Sequence, residues 1–206
     1  MTLPPTLPAY ERAARDRLGP EAAAYLFGGA GGEETLAANA AALARFRLSP
    51  RAFAAFDARP LDLFGDLYAA PILVAPIGYQ RLFDPQGEAA SARAAAALGL
   101  GYVVPTLSSV AMESVRDAAE GAPQWFQLYL QPERAQTLHL VRRAEACGAR
   151  AIVVTADAPV DGVRDRQVEA GFRLPADIRP VHLEALPRPA GRPDGPSPAP
   201  GWDAFA

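Results

Sequence analysis

The stretch Ala151-Ile-Val-Val-Thr155-Ala-Asp157-Ala-Pro159, with Arg164 shortly after it, decides how this chain is read. A short apolar run holding two adjacent valines predicts a buried strand. The run carries a hydroxyl and then a carboxylate to its C-terminal end, where Pro159 stops it. Thr155 and Asp157 stand at i and i+2 and so share a face. On these grounds alone Asp157 fits a helix N-cap equally well, and Arg164 fits a solvated arginine in a charged loop.

Working backward, this strand is the fourth of a series. Ile72–Ala75 reads as a strand, followed by a helix from Pro85 to Leu98 that Gly99 closes. Tyr102–Val104 is the next strand, with a helix from Met112 to Glu120 closed by Gly121. Trp125–Leu130 is the third, with a helix from Pro132 to Cys147 closed by Gly148. Proline entering a helix and glycine leaving it match the chemistry of helix ends. Strand starts at 72, 102, 125 and 151 lie 23 to 30 residues apart, the period of βα units in a parallel sheet. In a β/α barrel, functional side chains gather at the C-terminal ends of such strands.

The expected fold class is therefore α/β, the (β/α)8 TIM-barrel family, represented by about the first four βα units after N-terminal helices. Residues 1–70 form a helical and loop extension, with helices at Tyr10–Leu18, Glu21–Leu26 and Glu33–Phe46. The last of these places Leu36, Ala40 and Leu43 on one face. Residues 71–186 form the first half of a barrel, and 187–206 a loop rich in proline and glycine with the start of a further element at Trp202–Phe205. A complete barrel takes about 250 residues, so the 206 present predict an incomplete one.

Composition narrows the function. Net charge is −3, which recommends neither nucleic acid nor an anionic membrane as partner. All 20 basic residues are arginine, so no lysine is present to form a Schiff base or serve as a general base. Cys147 is the single cysteine; it excludes an internal disulfide, fits a reducing, cytoplasmic setting, and reads as a small buried residue at a helix end. The absence of a charged-then-apolar leader and of an apolar run of about 20 residues predicts neither export nor a membrane span. His139 lies within a helix and His182 in a late loop, and neither has Asp, Glu or Cys at ligand spacing, so no metal site is expected. The glycines at 28–32 lack a preceding strand and a following Lys-Ser/Thr, which makes them a poor phosphate loop.

Several residues stand where chemistry is expected. Gln127 and Tyr129 alternate with Phe126 and Leu128 and would point into a barrel mouth, or be a hydrogen-bonded core pair. Ala75-Pro76-Ile77-Gly78 ends the first strand; it lets backbone approach a flat ligand, or is a plain turn. Tyr25, beside the glycine cluster, fits a packing aromatic on its own.

Taken in order, these pieces resemble the FMN-dependent α-hydroxy acid dehydrogenase and oxidase family, which includes glycolate oxidase, lactate oxidase and lactate monooxygenase. The pieces are Tyr25 before Gly29-Ala30 and Glu34-Thr35-Leu36; Ala75-Pro-Ile-Gly78 with Pro85-Gln-Gly-Glu88; Thr106-Leu-Ser-Ser109 with Met112-Glu113; Phe126-Gln-Leu-Tyr129; Thr155-Ala-Asp157-Ala-Pro159; and Arg164. The resemblance covers about residues 10–185 and implies FMN at a barrel mouth. It implies that the backbone of Pro76, Ile77 and Gly78 lies against the flavin, and that Gln127 and Thr155 bond its pyrimidine side. It also implies that Tyr25, Tyr129 and Arg164 touch the 2-hydroxy acid, with Tyr129 and Asp157 as catalytic residues, Asp157 orienting a histidine base. Pro105 departs from the family, many of whose members carry a serine there.

The implied reaction is oxidation of an L-2-hydroxy acid, lactate-like, to the 2-oxo acid. The family's His-Gly-Gly-Arg motif, its flavin lysine and its late phosphate loops have no counterpart in these 206 residues. The expectation is therefore a fragment, inactive alone, that pairs with itself or with a complementary C-terminal half. The alternative is a truncated gene product or a non-catalytic half-barrel interaction subunit.

Overall fold

A computed structural model describes residues 3–53, 55, 59–156, 162–184 and 186. In chain order these form α1 (Leu7–Arg15), α2 (Pro20–Phe27), α3 (Glu34–Leu43), β1 (Leu61–Leu63), β2 (Asp66–Tyr68), β3 (Leu73–Val74) and α4 (Glu88–Ala97). There follow β4 (Gly101–Val104), α5 (Met112–Ala118), β5 (Gln124–Leu128), α6 (Arg134–Ala146), β6 (Ile152–Val154), α7 (Asp165–Glu169) and α8 (Val181–Glu184). The chain divides into a smaller unit, Met1–Phe56 with Gly162–Leu174, and a larger one, Asp57–Asp161 with Pro175–Ala206.

In the smaller unit, Thr6 caps α1 by accepting from the Ala9 amide at 3.3 Å, and Pro20 opens α2, where its missing N–H costs nothing. Tyr25 of α2 stacks on Phe172 at 5.2 Å, and the Arg15 guanidinium lies 3.8 Å from the Phe27 ring. Arg166 of α7 pairs with Glu33, whose other oxygen accepts from the Gly29 amide at 2.9 Å. Leu36 and Leu43, which share one face of α3, are exposed, Leu43 by 73%. Ala24 is this unit's one fully buried hydrophobic residue among those described.

The larger unit is built on a parallel sheet in the order β3-β4-β5-β6. Val104 lies opposite Phe126, and Leu128 opposite Val154, so the strands run in step. Tyr102, Val104, Phe126 and Leu128 pack against Ala92 and Ala95 of α4, Met112 and Val115 of α5, and Leu140 and Ala144 of α6. The β1–β2 hairpin turns at Phe64 and Gly65, both left-handed, as a two-residue hairpin requires. It lies at the N-terminal end of the sheet, where Trp125 donates to the Tyr68 hydroxyl at 3.1 Å. Gly101 has no room for a side chain: a Cβ there would stand 2.3 Å from the Leu73 side chain and 2.7 Å from Tyr68. The four expected strands are all present, and α7 and α8 are additions that periodicity did not announce.

Helices α5 and α6 are joined by Arg143, which donates to Glu113 through two nitrogens at 2.7 and 2.8 Å. Those bonds hold the Glu113 carboxyl down to about 2. The Glu113 side chain is 41% exposed, so the pair behaves as a surface ion pair. Glu113→Gln is expected to lower stability in urea by only about 0.5–1 kcal/mol, and by less in 1 M salt. Cys147 is half-buried rather than fully buried, and burial, with Glu113 nearby, pushes its thiol up and away from reactivity.

Candidate active site

Every expected flavin contact in the larger unit lies just beyond or at the C-terminal end of a parallel strand, which fixes their neighbourhood. Pro76, Ile77 and Gly78 follow β3, Pro105 and Thr106 follow β4, Gln127 is next to last in β5 and Tyr129 follows it, and Thr155 follows β6. The alternation expected on β5 is observed: Phe126 and Leu128 enter the helix-side core, while Gln127 bonds across to the neighbouring strand ends.

Gln127 is the centre of a relay across three strands. Its Oε1 accepts from the Thr106 amide at 3.0 Å, and its Nε2 donates to Thr155 Oγ1 at 2.9 Å. The first contact fixes the orientation of the amide, since a backbone N–H must meet an oxygen. Thr106 is fully buried; its hydroxyl donates to the Gln127 carbonyl at 2.6 Å and accepts from the Tyr129 amide at 3.0 Å. Gln127 and Thr155 are thus brought together, with Thr106 as the tie. Thr106 had no role assigned from sequence; its signal was a hydroxyl just past a strand end, as at Thr155.

Ala75 and Ile77 form an exposed apolar ledge after β3, with Ile77 41% exposed. The Tyr79 amide donates to the Leu107 carbonyl at 3.0 Å, joining that ledge to the segment after β4. Burial, and then the nearby Tyr129 phenol, raise the Tyr79 phenol above its ordinary value, so Tyr79 is protonated at neutral pH. A flat heteroaromatic ring fits these residues: apolar backbone for its face, and a half-exposed hydroxyl and an amide with a second N–H for its polar edge.

In the smaller unit, Tyr25 carries the Phe172 stack, and the Arg164 guanidinium reaches the Gly28 carbonyl at 3.5 Å. Asp157 and Pro159 lie outside the described residues. His139 is exposed on α6. His182, expected in a loop, is instead fully buried in α8, edge-on to Phe126 at 5.8 Å. That places it on the helix side of the sheet, away from the Gln127 side chain. Among the described residues there is no cluster able to hold a metal ion, and no helix long and apolar enough to cross a membrane.

The L-lactate oxidase of Roseobacter sp. (strain GAI101) is 43% identical over 189 residues, which are 91% of this chain and 50% of that protein. The 4-hydroxymandelate oxidase of Amycolatopsis orientalis is 45% identical over 177 residues, 85% of this chain and 49% of that protein. A mandelate oxidase variant solved with (S)-mandelic acid superposes with a TM-score of 0.83 at 39% identity, covering 98% of this chain and 57% of that one. The chain spans about half the length of the curated relatives it matches. The structure is accordingly an incomplete barrel of TIM type, as expected. The model of FMN-dependent dehydrogenases matches residues 14–197, and the chain belongs to that family.

Proposed function

We propose that this chain is the flavin-ring-binding half of an FMN-dependent enzyme that oxidises a small L-2-hydroxy acid, such as lactate or a mandelate, to its 2-oxo acid. The observation that carries the reading is the Thr106–Gln127–Thr155 relay at consecutive strand ends, beside the exposed ledge at Ala75–Ile77. FMN, when bound, accepts the two electrons released as the substrate C2–H bond breaks.

This chain's own residues bind and orient. Gln127 and Thr155 bond the pyrimidine side of the ring, and Pro76, Ile77 and Gly78 shield a face from water. Tyr129, with Tyr25 and Arg164, contacts the hydroxy acid. Asp157 orients a histidine base and stabilises its charged form. Neither histidine here suits that role, because His139 is exposed on α6 and His182 faces the helix layer. On this reading a complementary C-terminal half supplies the base, in a cytoplasmic enzyme, and the chain alone is inactive.

Titration of FMN into the purified chain, followed by quenching of flavin fluorescence, tests the reading. Saturable binding is expected, and Gln127→Leu should weaken it about tenfold, near the worth of one buried hydrogen bond. No binding by the wild-type chain rejects the reading. Binding that ignores Gln127→Leu rejects the placement of the ring.

A further inference from the structure

We propose that Glu88 is a positioning residue: its buried carboxylate ties the segment after β3 to the segment after β4, and so fixes the ledge on which the flavin is read to lie. The second half of that statement rests on the proposed function; the first does not.

Glu88 opens α4 and is fully buried. An ionised carboxylate out of water costs several kcal/mol unless its lone pairs are satisfied, so its partners show what the site is built for. None of them belongs to α4. Oε1 accepts from the Gln80 amide at 3.0 Å, after β3, and from the Ser109 amide at 2.9 Å, after β4. Oε2 accepts from the Ser109 hydroxyl at 2.7 Å, and that hydroxyl accepts in turn from the Arg81 amide at 3.1 Å. A carboxylate serving only as a helix-end charge would answer to its own first turn; this one answers to two loops.

The network reaches the ledge through Gln80. Its Nε2 donates to the Ile77 carbonyl at 3.1 Å and to the Tyr102 hydroxyl at 2.9 Å, and its Oε1 accepts from Ser91 at 2.6 Å. Burial, together with the Glu88 charge, pushes the Tyr102 phenol far up, so it stays protonated. The backbone between ledge and network is tightly turned: Tyr79 and Gly87 both have left-handed φ, and a Cβ at Gly87 would stand 2.8 Å from the Arg81 side chain. Ile77 on one side and Thr106 on the other therefore sit at the ends of segments fastened to the same carboxylate. Such fastening pre-orders a binding surface before the ligand arrives.

The test uses the full chain without flavin first. Amide hydrogen exchange, read by segment, should show Glu88→Gln speeding exchange in 77–82 and 107–110 together by about tenfold or more, with α6 unchanged. Gln80→Leu, which cuts the arm to Ile77 but spares Glu88 and Ser109, should speed exchange in 77–82 alone. Loosening of one segment only by Glu88→Gln, of neither, or of the whole larger unit equally overturns the tie. FMN titration then reads the second half: Glu88→Gln should weaken binding about tenfold and blur the vibronic structure of the bound flavin's visible band. Unchanged affinity and band shape with loosened segments overturn the link to the ledge. A wild-type chain that takes up no FMN overturns the flavin reading, while the exchange data still decide the tie.

Discussion

Thr106→Val is expected to destabilise the larger unit by about 2–5 kcal/mol, far more than its near-equal volume suggests. Valine keeps the β-branched shape, so little packing is lost. What disappears is a hydroxyl that does two jobs at once, donating to the Gln127 carbonyl at 2.6 Å and accepting from the Tyr129 amide at 3.0 Å. Removing it leaves two backbone groups of β5 and its C-terminal extension without that partner, each at a cost of about 1–3 kcal/mol. Water offers little relief, because Thr106 and Gln127 are both buried. Thr106→Ser keeps the hydroxyl and gives up one methyl, and should cost only about 1 kcal/mol. Urea unfolding of the three proteins checks this, with exchange of the Tyr129 amide as the local readout. A valine variant as stable as the serine variant would show that the hydroxyl is not the tie. The same substitution should weaken FMN binding, since Gln127 would keep its side-chain contact to the Thr106 amide but lose the backbone anchor beneath it.

The sequence was legible wherever the period of a single element decided the outcome. The run 151–155 gave β6, and Gln127 took the side of the strand that alternation assigned it. Boundaries shifted where backbone chemistry intervened. β3 is only Leu73–Val74 because Pro71 and Pro76 bracket it and neither has an N–H for a ladder. α4 begins at Glu88, three residues later than Pro85, because the Gly87 amide closes a turn onto the Asp84 carbonyl at 2.9 Å. What stayed illegible was long-range. Nothing near Glu88 in the chain announces Ser109 as its partner, and nothing near Thr106 announces Gln127; a lone carboxylate after glycine reads as an ordinary helix start. The face of α3 was a pattern without a consequence, since amphipathicity says which residues would be buried and not what is there to bury them.

Acid should lower the stability of the larger unit over two separable pH ranges, and the higher of them should belong to His182. The ring is fully buried in α8, edge-on to Phe126, and neither nitrogen has a partner at good hydrogen-bond geometry among the described residues, although the backbone of Pro105 and Thr106 lies close by. Burial, and then the Arg143 guanidinium, push its pKa down to about 4; Glu113 and the backbone at Pro105 and Thr106 oppose the shift without reversing it. The unfolded chain holds the ordinary value of about 6.5, so between pH 6.5 and 4 it binds protons that the folded state refuses. Stability is therefore complete above about 6.5 and falls as the pH drops toward 4, by about 2 kcal/mol at pH 5 and about 3 kcal/mol in all. Glu113, held at about 2 by Arg143, acts lower. Its smaller contribution survives down to about pH 4.5 and is lost only below that. His182→Leu separates the two ranges, because leucine fills a similar volume and never takes a proton. At pH 7.5 the variant should come close to the wild type, since no hydrogen bond of good geometry is given up; at pH 5 it should be the more stable by about 2 kcal/mol. Urea titrations of both proteins at the two pH values decide the matter. Equal losses on going from pH 7.5 to 5 would mean that some other group takes up the proton.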